Sequence, residues 1–360
     1  MRQHSKTTLG VDVGDRRSHF CVLDEAGAVV ERGDFRTTPA GLKKMLAARS
    51  GATVAFETGS HALWIRHEVE AAGCRALEGN PRQVRLIYGG HTKNDRLDAE
   101  NLARLARLDE ELLKPVRARR DRDQRDLAGI KARDQLVRAR ASLANFVRGV
   151  IKPFGVRLKK CGVGTLPKRA PEQLPPELKA TLHPVLETIA DLSRRIRAYD
   201  RAIEKVSAER YPVTEHLREV RGVGPLTAMA FVLVIGDPAR FPKSRTVGSY
   251  VGLRPKQDQS GDRDVPLGIT KAGSSLLRRL LLQCAHYMLG PFGTDSDLRR
   301  YGERIAARGG KVAKRKAVVA VARKLAVLLH RMWVTGEVYD PLRVSRQRGE
   351  VAEETVAVPA

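Results

Sequence analysis

Cysteine, aromatic side chains and long apolar runs are all scarce in this chain of 360 residues, and each scarcity removes a class of protein. Its four cysteines, Cys21, Cys74, Cys161 and Cys284, stand far apart with no CxxC pair. That spacing excludes a disulfide scaffold and a zinc cluster, and it fits a reducing compartment. No apolar run approaches the length of a bilayer span; the longest candidate, AMAFVLVIG, stops at Gly236. The stretch MRQHSKTTLGVDVGDRR is broken by charge throughout and lacks the apolar centre of a signal peptide. A soluble, cytoplasmic, nucleoid-associated protein with no membrane partner is therefore expected. Aromatics make up 5% of the chain and charged residues 30%, which favours charged, helix-rich structure in two or three domains.

Acidic residues also run short, but only in part of the chain. Residues 1–110 carry 17 basic and 15 acidic side chains, whereas residues 111–360 carry 49 and 26. Between Gln135 and Pro171 there are nine Lys or Arg and no acid. The total of +25 says little about fold and much about partners, which should be polyanions. An Arg-rich genome would also enrich basic residues, but it would not spare the first 110.

What is present alternates strand and helix at first. Thr7–Val13, Ser18–Leu23 and Val29–Phe35 read as consecutive antiparallel strands, and GLKKMLAAR after Pro39 as a helix. Thr53–Phe56 follows as a buried strand, His61–Ala72 as a helix and Arg75–Leu77 as a short strand, an α/β order. From Asp95 the chain turns helical, with Leu97, Leu105 and Leu108 on one face. A long Arg-rich helix runs to about Ile151, then a linker or irregular basic loop with five prolines, through Glu177. Val185, Ile189, Leu192, Ile196, Tyr199, Ile203 and Val206 form a heptad seam. Its partner is either the preceding Arg-rich helix or a second subunit; a plain amphipathic helix is the simpler alternative. The remainder is mainly helical, with a polar Gly-rich loop from Arg254 to Gly273 and a tail after Asp340 that reads as disordered. The expected domains are 1–115, a basic helical segment 116–215, a helical domain 216–340 and the tail 341–360.

Four acids stand out. Asp12 ends the first strand, Glu57 follows a second buried strand, and Asp95 and Asp98 lie three apart near a helix start. Each has an ordinary role open to it: strand end, turn, helix cap or first-turn charge. Together they can converge, and converging carboxylates repel unless a cation neutralises them. Oxygen ligands suit Mg²⁺, and two such ions can activate a nucleophile and stabilise a leaving oxygen in phosphodiester cleavage.

Glu219 to Ala228 (EVRGVGPLTA) has the form of a helix–hairpin–helix turn, or of a simple inter-helix turn. In the first form Gly222 and Gly224 admit a phosphate and Thr227 opens the next helix. Lys152, Lys159 and Lys160 are candidates for backbone contact in the basic stretch, as are Lys271, Arg278 and Arg279 downstream. Ser260 stands beside Gly261 in a polar loop, where spacing alone offers it no general base.

GVDVGDRRSHF, FETG and KNDRLDAENLARL, followed by RGVGPLTAMAFVLVIGDPARFPKSRTVGSYVGLRPKQDQSG and ITKAGSSLLRRLL, resemble the insertion-sequence DEDD transposases, from about residue 8 to residue 335. Some of that family are serine recombinases guided by a bridge RNA. The resemblance implies an RNase H-like (RuvC-like) N-terminal domain, a coiled coil and a mainly helical transposase domain. It puts the metal ligands on Asp12, Glu57, Asp95 and Asp98 and the nucleophile on Ser260. It also implies DNA ends and target as substrates, a structured guide RNA as partner and a homo-oligomer, dimer or tetramer; because the acids and Ser260 fall in separate domains, a composite site between subunits is expected. Two departures concern substrate detail: His61 stands where an aromatic residue is expected, and Asp262 and Asp264 where basic or neutral residues are commoner. Alternatives from other classes are a RuvC-like structure-specific endonuclease using water, and a non-catalytic nucleic-acid-binding protein.

Overall fold

The computed structural model of the chain describes residues 7–81, 94–116, 119–257, 259–260, 263–264 and 267–349. It divides into two compact units, residues 1–121 and 122–360. Among the described residues no helix is long and apolar enough to cross a membrane.

The first unit is a five-stranded mixed sheet with helices packed on it. Strands β1 (Thr8–Asp12), β2 (Arg17–Leu23) and β3 (Val29–Arg36) are consecutive; α1 (Pro39–Leu46), β4 (Thr53–Glu57), α2 (Ala62–Ala71) and β5 (Arg75–Gly79) follow, then α3 (Asp95–Leu108). Strand order is β3-β2-β1-β4-β5, and β2 alone runs against the others. Leu9, Val11, Val54 and Phe56 project from one face into a core closed by Leu42 and Leu46 of α1 and Ile65 and Val69 of α2. The other face takes α3.

That helix approaches closely because the contact residues are small. A Cβ on Gly10 would fall 2.0 Å from the Ala99 carbonyl oxygen and 2.4 Å from the Ala103 nitrogen. The buried stripe is Ala99, Leu102, Ala103, Leu105 and Ala106. The expected face of Leu97, Leu105 and Leu108 holds only for Leu105, since Leu97 is 47% and Leu108 78% exposed.

The second unit begins with two long helices, α4 (Asp121–Val150) and α5 (Pro176–Arg210). They pair antiparallel: Arg133 Nε donates to Asp200 at 2.6 Å, and Arg140 donates to Ser193 Oγ at 3.1 Å. Tyr211, just past α5, donates to Asp123 and Asp126 near the start of α4. The preceding Arg-rich helix, one of the two partners open to the heptad seam, is therefore in contact with it. The buried stripe of α5 is also rotated from the expected one, to Leu182, Leu186, Ile189, Ser193, Ile196, Ile203 and Ser207. Serines can line it because their hydroxyls are bonded, Ser193 to the Ile189 carbonyl and Ser207 to Thr214.

The Pro-rich stretch between these helices is a folded cap, not a linker. Ile151, Leu166, Ala170 and Leu174 pack with Ala144, Val147, Leu182 and Leu186. A larger core follows, built on α6 (Val213–Arg218), α7 (Pro225–Ile235), α8 (Arg245–Tyr250), α9 (Ser275–Leu289), α10 (Asp297–Ala306) and α11 (Gly310–Thr335). Leu127, Ile130 and Ile203 of the long helices join it, so the segments expected as 116–215 and 216–340 share apolar contacts.

The tail read as disordered is ordered in its first part. Residues Arg343–Gln347 form α12, because the Asp297 carboxylate accepts from the Val344 and Ser345 amides and the Ser345 hydroxyl. Residues 350–360 of that tail lie outside the described residues.

Candidate active site

The sheet register builds one row of side chains. Asp34 of β3 faces His19 of β2, which faces Asp12 of β1. Pairing of Val11 with Phe56 sets Glu57 beside Asp12, and Glu57 in turn faces Gly79 of β5. Side chains alternate along a strand, so the row's face follows from residues two positions away. Gly10, Ala55 and Cys21 all meet α3, and Asp12, Glu57 and His19 therefore project on the α3 side of the sheet.

The first turn of α3 completes the group. Asn94 caps the helix, its side chain accepting from the Arg96 amide at 3.1 Å. Asp95 is thus not the cap that an ordinary reading would make it, and both Asp95 and Asp98 sit in the turn where the helix dipole favours negative charge. Carboxylate oxygens of Asp12, Asp95 and Asp98 lie within 4.8 Å of one another. Glu57 is close enough to respond: burial first, then the charges of Asp12 and Asp98, push its carboxyl above the usual range. Three acids from two elements therefore converge, with Glu57 on the neighbouring strand within reach of their charge. An all-oxygen donor set with this mutual repulsion fits a hard divalent cation, which would relieve it.

Sequence reading overlooked His19, which only the strand register puts beside Asp12. Its Nδ1 is buried with no hydrogen-bond partner among the described residues. His61 sits after β4, accepting at Nδ1 from the Trp64 indole (3.0 Å) with Nε2 3.8 Å from an Asp15 oxygen.

In the second unit, Ser260 belongs to a ribbon rather than an open loop. Strand β6 (Gln259–Ser260) pairs antiparallel with β7 (Arg263–Asp264), Ser260 opposite Arg263. The side chains of these four residues, and Gly261 and Asp262 entirely, lie outside the described residues. Lys256 and Thr270 amides donate to the Gly268 and Arg254 carbonyls at the ribbon's base. Gly252 and Gly273 hold that base in positive φ (73° and 64°), where a Cβ would strike the Ala272 and Tyr250 backbone. Lys271, exposed, also has positive φ, at 55°.

The candidate phosphate-binding residues separate into two groups. Lys152, Lys159 and Lys160 are exposed on the cap. Gly222 takes φ +94° against the Tyr287 ring and Gly224 precedes α7, the two lining a concavity of about 500 Å³ with Arg218 and Arg221. Thr227, by contrast, is 7% exposed and its hydroxyl meets the Cys284 thiol. Arg278 donates to the Val251 and Ala272 carbonyls, clamping the ribbon's base. Arg279 grips both Asp134 oxygens of α4 at 3.0 and 2.9 Å. Thr227 nevertheless lines the same concavity as Gly222 and Gly224, while Arg278 and Arg279 are engaged in contacts within the fold.

Comparison with known proteins agrees in both halves. A profile of IS110-type DEDD transposases matches residues 9–154, and one described as the IS116/IS110/IS902 transposase family matches residues 214–301. The chain is 28% identical to the transposase for insertion sequence element IS1111A of Coxiella burnetii, over 92% of this chain and 90% of that one. It is 27% identical to the transposase for IS1328 of Yersinia enterocolitica, covering 86% and 87%. Identity reaches 30% with a putative transposase, y4pF/y4sB, of Sinorhizobium fredii, over 74% of this chain and 70% of that one. The order of the matched segments, their span and the acidic cluster in the first of them lead to one conclusion: the chain belongs to the IS116/IS110/IS902 family and is a DNA transposase.

Proposed function

We propose that the first unit is an RNase H-like, RuvC-like nuclease domain whose Asp12, Glu57, Asp95 and Asp98 hold Mg²⁺, two ions per site, and that Ser260 is the nucleophile of DNA cleavage and rejoining. The convergence of Asp12, Asp95 and Asp98, with Glu57 responding to their charge, carries this reading. The strand order, with β2 alone antiparallel, supports the RNase H-like assignment. Bound Mg²⁺ would supply charge neutralisation and a lowered pKa for an attacking oxygen.

The chain's own part is positional. Gly10 lets α3 approach β1, which brings Asp95 and Asp98 to Asp12. The clamp of Arg278 and the two positive-φ glycines fix the ribbon that presents Ser260. In cleavage the serine hydroxyl gives up its proton, its oxygen bonds to phosphorus, and a deoxyribose oxygen leaves and takes a proton. Reversal by the hydroxyl of another strand restores a phosphodiester and frees the serine, so no bond energy is lost to water. A structured RNA as guide and a homo-oligomeric assembly belong to the same proposal; the net charge of +25 and the exposed lysines of the cap support the first.

The test is a pair of variants assayed on DNA carrying the element's own ends. Asp12→Asn should abolish cleavage. Ser260→Ala should abolish the covalent protein–DNA species and rejoining together. A Ser260→Ala protein that still cuts would make water the nucleophile and overturn the serine assignment.

A further inference from the structure

The second unit also carries a concavity remote from the Gly222–Gly224 turn. It has a volume of about 1320 Å³ and runs along α11. Its walls carry Arg245, Lys256, Arg308, Arg315, Arg323 and Lys324. None of these six forms an ion pair with a described carboxylate, whereas Arg331 and Arg343, which also line the groove, share Glu337. The two acids at its rim are already committed: Asp297 to the amides of α12 and Asp340 to Arg346. The groove thus concentrates unneutralised positive charge, which favours a polyanion. Burial first, then Arg304 and Arg348 beyond the lining, lower the Lys324 pKa, with Asp297 opposing them.

Its lining is not all charged: Val312 and Val319 of α11 and Tyr301 of α10 contribute, with the Lys324 ammonium 3.9 Å from the Tyr301 ring centre. Cations interleaved with apolar and aromatic side chains suit a strand whose bases are unpaired, since phosphates meet the former and base faces the latter. A closed duplex would bring only phosphates. The groove's end is also informative, for Lys256 and Leu267, on the two sides of the Ser260 ribbon's base, both line it.

We infer that this groove holds an unpaired DNA strand and leads it to the Ser260 ribbon. The inference deepens the proposed function and rests on it for the choice of DNA. Arg245 of α8, Lys256 at the ribbon's base, Arg308 after α10 and Arg315 of α11 come to the groove from four segments, so a strand lying in it would be gripped at several phosphates.

The experiment measures binding of labelled single-stranded DNA to the full chain by fluorescence anisotropy, in chelator, across a salt series. Duplex DNA and RNA of the same sequence are run in parallel. The variants are Arg308→Ala with Arg315→Ala and, independently, Arg245→Gln with Lys256→Gln, all at exposed positions. Arg194→Ala with Arg195→Ala, paired to Asp191 on α5, is the control. Each groove pair should weaken single-strand binding by about tenfold and flatten the log–log salt slope by about 1.4, some 0.7 per lost phosphate contact. Circular dichroism verifies folding, and the second pair stands if the first does not fold. Single-strand affinity equal to the control, an equal loss for duplex, or a larger loss for RNA than for DNA would each overturn the assignment. Because binding is read without divalent ions, failure here leaves the carboxylate site untouched. Cleavage by Asp12→Asn, assayed alongside, reports on that site separately.

Discussion

Asp12 is the most exposed to contradiction of all the residues named, because its neighbours make it costly unless something offsets their charge. With no cation bound, Asp12, Asp95 and Asp98 repel, each contact on the order of 1 kcal/mol at their separation in a watery dielectric. Asp12→Asn should therefore melt higher than the parent in chelator, by about 4 °C for a domain of this size. Differential scanning calorimetry reads this directly, and a lower melting temperature would mean that Asp12 stabilises the fold by some other contact. Legibility at this scale was uneven. The four acids stand out because three elements end in them at recognisable places. The structural employment of Arg278 and Arg279 does not, since Arg279 finds Asp134 a distance of 145 residues away along the chain. Nor does the contact of Thr227 with Cys284, which lies on another helix.

Between elements, the decisive contact is β1 against α3. Gly10→Ala would drive a methyl into the α3 backbone, and overpacking of that kind costs about 1–3 kcal/mol or more. The melting temperature should fall, and cleavage should fall further than stability explains, because α3 must retreat with Asp95 and Asp98. Retained full cleavage in a folded Gly10→Ala protein would sever the link between helix approach and site. A second contact, α4 to α9, depends on pH. Arg279 first, and Arg138 after it, hold the Asp134 carboxyl below its ordinary value. A depressed carboxylate stabilises the fold above the unfolded-state pKa and loses that contribution as pH falls through the folded one. Asp134→Asn should thus destabilise the protein at neutral pH by roughly 1 kcal/mol, the gap closing below about pH 4. Thermal melts at pH 7 and pH 3 check it; a gap independent of pH would assign the loss to packing.

The strands were legible because β-branched and aromatic runs broken by turn residues admit little else. Helix faces were less so. Leucines marked the wrong stripe of α3, where close approach demands alanine, and bonded serines displaced the apolar seam of α5. Prolines from Pro153 to Pro176 suggested a linker, but short turns between them bring Leu166 and Leu174 into a core that no local pattern announces.

For the whole molecule, charge and chemistry are divided. The first unit is nearly neutral and gathers four acids; the remainder holds most of the excess positive charge, a clamped ribbon and a cationic groove. That division suits an enzyme that must grip polyanions over a wide surface while concentrating negative charge at one point. All of it depends on the acids serving a cation. Titration of Mn²⁺ into the full chain by isothermal calorimetry is the direct measurement, with Asp12→Asn, Glu57→Gln, Asp95→Asn and Asp98→Asn beside the parent. The account predicts saturable binding to the parent, weakened by about 100-fold or more in each variant. Binding that is undiminished when these carboxylates are removed would contradict it.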